Sequence, residues 1–235
     1  MPPILGTLRR TVLDPKPFKA RLLSTLQGHP HIFIFPNQLS QNTHTLSLLS
    51  TEPPNPILAI GTTSKLPPTP DSFVENPQFL NILQSVVSEY AHQDPDVKSQ
   101  AQVMASTAGA NLGSGGVFFA SQPRRRRPGY GGGGGAGGDS SGGASGQGGA
   151  GSGGRGGWIH VSDSRNPPEF GRIAWPEDIF GSLEVDREGK IEGNGNYQPS
   201  GTYRIITRNG ILGLSPFLRE KLVQRLREEE QNLQH

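Results

Sequence analysis

Short apolar runs bounded by proline, glycine and asparagine alternate with stretches whose apolar residues recur every three or four positions. That contrast lays out the elements. His31–Phe35 and Pro56–Ile60 carry the β-branched and aromatic bias of buried strands, and the pattern predicts a strand at each. Asn76-Pro77 has the form of an N-cap followed by proline at the first helical position. Phe79, Leu80, Leu83, Val86, Val87 and Tyr90 then define one face of an amphipathic helix. Asp94-Pro95 opens a second, more polar stretch through Met104, and Gly116–Ala120 reads as another strand. Ahead of all these, Phe18, Leu22, Leu23 and Leu26 predict a short helix ending at Gly28.

The C-terminal part is denser. Trp158–Val161 alternates as a strand should, Asp178–Asp186 continues as a second, and Glu188-Gly189 turns the chain. Thr202–Arg208 alternates again, Asn209-Gly210 signals a hairpin in which both residues accept positive φ, and Ile211–Leu214 answers it. Ser215-Pro216 then reads as N-cap and N1 of a helix that sets Leu218, Leu222 and Leu226 on one stripe, with the meander as its expected partner. The Glu228–Glu230 end stays solvated. The fold class is α+β: a small antiparallel β-meander with a C-terminal helix, plus a small α+β N-terminal region.

Composition separates these two parts. Gly129–Gly157 holds more than half of the 33 glycines among 235 residues, directly after Arg124, Arg125, Arg126 and Arg127. So little apolar surface cannot offset the entropy of ordering glycine, which predicts a disordered tract. The expected organisation is a basic N-terminal segment over 1–27, an α+β region over 28–122, an Arg/Gly-rich linker over 123–157 and the β-meander-plus-helix module over 158–235. Strand pairing between Phe118 and Trp158 would instead make the tract a long insertion in one fold.

Charge and cysteine narrow the function classes. The net charge is only +2, and the absence of cysteine removes disulfides, thiolate metal sites and cysteine nucleophiles. No apolar run reaches the length of a membrane span, and no signal-peptide core is present, so the chain reads as intracellular and not secreted. Arg9, Arg10, Lys16, Lys19 and Arg21 face the single acid Asp14 within the first 27 residues, a balance like that of a mitochondrial leader.

Candidate chemistry is sparse. His29-Pro30-His31 lacks a third ligand at useful spacing, so neither metal nor cofactor is expected. Gly61–Lys65 lacks the second glycine of a phosphate loop, and Gly138–Gly142 matches a nucleophile-elbow string inside glycine-rich sequence that supplies neither strand nor helix. The segment Asp163–Asp178 concentrates two arginines, four acids, three prolines and two aromatics. Arg165, Glu169, Phe170, Arg172, Trp175, Glu177 and Asp178 therefore form the candidate partner surface. The competing reading is a covering flap, with Phe170, Ile173 and Trp175 inserted into the core and the arginines paired to nearby acids.

Three functions follow in order. The first is a non-enzymatic protein-interaction or assembly factor that uses the 163–178 loop, set in the mitochondrion. The second is an RNA-associated protein using Arg124–Arg127 and Arg155 as an electrostatic arm. The third is a small hydrolase or lyase using His160 with Glu169, Glu177 or Asp178.

Overall fold

The computed structural model describes residues 24–37, 42–105, 157–168 and 172–233. Ser24–Leu26 (β1), His29–Pro36 (β2), His44–Ser47 (β3), Gly61–Thr63 (β4) and Phe73–Glu75 (β5) form an antiparallel sheet in chain order. Pro77–Tyr90 (α1) and Pro95–Ala105 (α2) follow it. Gly157–Ser162 (β6), Ile179–Val185 (β7) and Gln198–Pro199 (β8) make a second antiparallel sheet. Ile206–Thr207 (β9) and Gly210–Ile211 (β10) pair as a hairpin, and Pro216–Asn232 (α3) closes the described chain. The class is α+β, as the hydrophobic pattern predicts. The strand expected over 116–120, the arginines at 124–127 and 155, and the basic segment through residue 23 lie outside the described residues.

Three local expectations are corrected. Ser24–Leu26 is a strand and not the end of a helix, because Gly28, at φ 80°, reverses the chain into β2 instead of capping a helix. The apolar run Pro56–Ile60 is a turn, with the strand displaced to Gly61–Thr63. Asn55 causes this: its side chain accepts from the Ile57 N–H and its carbonyl accepts from Leu58 and Ala59. The hairpin near Asn209-Gly210 exists one register earlier, since Gly210 pairs with Thr207 and leaves Arg208-Asn209 as the loop. Of Asn209 and Gly210 only Gly210 has positive φ, at 123°, and the pairing places Arg208 at the hairpin tip.

The two dense parts of the sequence share one apolar core. Ile32, Leu46, Phe79, Leu83 and Val86 belong to the same buried cluster as Leu183, Ile205, Leu222 and Leu226. The Leu218–Leu222–Leu226 stripe is buried as expected, but α3 runs against α1 across the seam, not chiefly against the meander. Polar contacts reinforce that seam: Arg225 Nη2 lies 2.6 Å from Glu89 Oε2, and Gln84 on α1 accepts from Tyr197 OH at 2.8 Å while donating to the Phe180 carbonyl.

Helix capping joins the halves as well. Asp94 accepts from the Asp96 N–H at the start of α2, Ser215 accepts from the Leu218 N–H at the start of α3, and the Ser215 hydroxyl donates to Asp94. Asp94 is buried. Ser215→Ala removes both bonds at once, and about 1 to 2 kcal/mol of stability should be lost. In a double-mutant cycle by urea unfolding, Ser215→Ala and Asp94→Ala should be strongly non-additive; additive losses would mean the two caps act separately.

Candidate functional site

Strand β6 ends at Ser162, and the next residue closes the neck of the long loop, because the Asp163 N–H donates to the Asp178 carbonyl at 2.7 Å. The Asp163 carboxylate then gathers three donors. Oδ1 accepts from the N–H groups of Arg165 and Gly213, and Oδ2 accepts from Tyr203 OH at 2.8 Å. Burial pushes the Asp163 carboxyl up from the ordinary range, while the Arg165 guanidinium and the bonded N–H groups pull it back. Gly213 leaves no room for a side chain here, since a Cβ would lie 2.7 Å from both Asp163 Oδ1 and the Arg165 nitrogen.

Arg165 fills the centre of this arrangement. Its side chain is only 2% exposed; Nε donates to Asp178 Oδ1 at 2.7 Å, Nη1 to the Ile205 carbonyl, and Nη2 to the carbonyls of Glu177 and Arg204. The guanidinium also lies 5.4 Å from the Tyr203 ring centroid. Each contact fixes a piece of backbone. Residues 177–178 and 204–205 are thereby held side by side. Arg165 and Asp178, expected on a partner surface, are therefore interior groups that position the surface above them.

That surface carries a tryptophan. Trp175 precedes a short 3-10 turn, Pro176–Asp178, in which proline fixes the first φ and the Asp178 N–H returns to the Trp175 carbonyl. Thr202 Oγ1 bonds the Pro176 carbonyl at 2.8 Å from the other side. The backbone is fixed, yet the indole is exposed: Trp175 keeps 67% of its surface. The insertion of Ile173 and Trp175 expected of a covering flap is corrected, because Ile173 is 38% exposed and Ala174, between them, is the buried residue, whereas the pairing of Arg165 with a nearby acid that the flap also predicts is present. Arg172 and Glu177 are exposed, and Glu169 and Phe170 lie outside the described residues.

Trp175, Pro176 and Glu177 form one wall of an open groove of about 1190 Å³. Phe73, Val74 and Glu75 of β5 line it, and Thr202, Arg204 and the β9–β10 hairpin close it. Val74 is exposed by 68%, so two apolar side chains border the same opening. Glu75 joins the walls, accepting from the Ile205 N–H at 2.8 Å with Arg204 Nη1 at 3.8 Å. The sequence reading missed Val74, Glu75, Arg204 and Arg208 because they reach the loop only through tertiary packing.

Of the candidate catalytic residues, His160 and Asp178 are each bonded to other partners. His160 Nδ1 contacts Ser182 Oγ at 2.9 Å across β6 and β7, whereas Asp178 serves Arg165. Burial holds the His160 imidazole below the ordinary histidine value of 6.5. Because the folded state takes up the proton later than the unfolded chain, its contribution is present above that value and declines as pH falls through the lowered one. His160→Gln should flatten stability against pH below about 6.5; an unchanged acid slope would assign the proton uptake elsewhere. At the other sheet, the His29 and His31 rings meet edge to face with centroids 5.7 Å apart. Among the described residues, no group of three His, Asp or Glu side chains is placed to hold a metal ion, and no helix is long and apolar enough to cross a membrane.

No protein-family model matches the sequence, and neither the curated proteins nor the solved structures give a significant match.

Proposed function

We propose that the protein is a non-enzymatic interaction or assembly factor whose partner surface is the groove beside Trp175. The observation that supports this most is the indole itself, 67% exposed on a backbone fixed by Pro176 and Thr202. A tryptophan held rigid at the surface is among the side chains that most often anchor an interface. Its neighbour Val74 extends the apolar area, and the Arg165 network below keeps the anchor preorganised. The leader-like charge of residues 1–27 supports a mitochondrial setting.

Trp175→Ala separates this role from a structural one. Since the side chain is mostly exposed, the substitution should change stability by less than about 0.5 kcal/mol. Partners recovered with the wild-type chain should be lost at a hot-spot cost of about 2 kcal/mol or more, read as a Kd ratio. Retention of the same partners by a folded Trp175→Ala chain would remove the groove from the account.

A further inference from the structure

Strand β5 ends its sheet, and its hydrogen-bond phase can be read from its neighbours. The Ser64 N–H donates to the Ser72 carbonyl and the Asn76 N–H to the Ile60 carbonyl, with Val74 opposite Thr62. In an antiparallel ladder, this directs the backbone groups of Ser72, Val74 and Asn76 toward β4. Phe73 and Glu75 therefore turn their N–H and C=O groups away from the sheet. Among the described residues no backbone hydrogen bond closes that edge, and both residues line the groove. The two sets of groups lie about 6.7 Å apart, the repeat of alternate residues in an extended chain.

Packing fixes the edge in place. Gly61, paired with Glu75, lies so close beneath β5 that a Cβ there would stand 2.3 Å from the Val74 carbonyl oxygen and 2.5 Å from the Phe73 ring. Three residues are too few to template indiscriminate aggregation but enough to pair with a short segment. Between 202 and 209 the groove residues include Arg204, 67% exposed at its side chain and 3.8 Å from Glu75 Oε2, and Arg208 at the hairpin tip, and no acid, while the acid Glu177 stands on the Trp175 wall. The Glu75 carboxylate is already engaged by the Ile205 N–H.

Resting on the reading of this groove as the partner surface, we propose that it takes an extended segment of a partner protein by strand addition to β5. The segment sets an apolar side chain against Trp175 and an acidic one toward Arg204 and Arg208. Main-chain hydrogen bonds supply the extended conformation, and alternate side chains supply the choice of sequence.

The test uses the full chain and an acetylated, amidated eight-residue peptide in which valine alternates with glutamate. A peptide with lysine for glutamate is the comparison. The glutamate peptide should bind at least about tenfold more tightly, since like charges facing Arg204 and Arg208 are unfavourable. It should also slow amide hydrogen exchange at Phe73 and Glu75. Methylating the backbone nitrogens of one alternating set of its residues should weaken binding by about tenfold, and methylating the other set should not, because only one set faces β5. Absence of binding, equal sensitivity of the two sets, or preference for the lysine peptide would overturn the proposal. Binding that Trp175→Ala abolishes without any exchange change at Phe73 and Glu75 would overturn strand addition alone. Binding indifferent to Trp175→Ala would overturn the partner-surface reading with it.

Discussion

Replacing Arg165 with methionine should cost about 3 to 5 kcal/mol and disorder the 163–178 loop. The substitution preserves bulk and removes the charge, so the loss measures the network and not a cavity. It leaves Asp178 without the donor at 2.7 Å, and it takes the guanidinium N–H groups from the carbonyls of Glu177, Arg204 and Ile205, of which Glu177 keeps the Arg204 N–H and Ile205 the Leu212 N–H. Arg165→Lys should recover little, because an ammonium cannot reproduce a planar fork that reaches four acceptors. The deficit should also depend on pH. Burial already raises the Asp163 carboxyl, and loss of the guanidinium raises it further. A raised folded value means that this group's contribution is complete below the unfolded value near 3.9 and is lost as pH rises through the folded one. The variant should therefore be relatively less impaired near pH 4 than near pH 7. Urea unfolding at both values is the check; a pH-independent loss below about 1 kcal/mol would show that the network is dispensable.

Leu222→Ala should have an effect of similar size across the whole chain. Leu222 is fully buried, its helix packs on α1, and deletion of a buried leucine leaves a cavity worth about 2 to 5 kcal/mol. Because one apolar cluster spans the seam, amides in β2 and β3, far away in sequence, should lose hydrogen-exchange protection together with those of β6 and β7. Two separate transitions, with only the C-terminal strands affected, would mean that the halves fold independently.

These two residues also show what the sequence could reveal. Leu222 was legible because helical periodicity is local: Ser215-Pro216 starts α3, and the leucines four apart mark its buried stripe. Asn76-Pro77 and α1 were legible for the same reason. What that stripe packs against was not legible, since nothing in the helix distinguishes the Phe79–Val87 face from a nearby meander. The Pro56–Ile60 turn defeated a composition rule because Asn55 bonds decided a conformation that apolar content could not. At the site, the charge and aromatic density of 163–178 drew attention to this loop but misplaced Arg165 and Asp178, which are interior groups. Arg165 looked like a surface cation and is buried, because its acceptors come from residues 177, 204 and 205, which only the fold assembles. The pattern favoured Trp175 as a core plug over a surface anchor, and its 67% exposure overturns the plug.

The central claim is that partners meet the protein at the groove bordered by Trp175 and β5. Photo-crosslinking from position 175 tests it most directly, with Leu233, also an exposed apolar side chain, as the control position. A benzophenone amino acid at each site would be irradiated in cells with the full chain. The account predicts discrete protein adducts at 175 that are absent at 233 and that disappear when Val74→Asp is added. Adducts equal at the two positions, or none at 175, would contradict it.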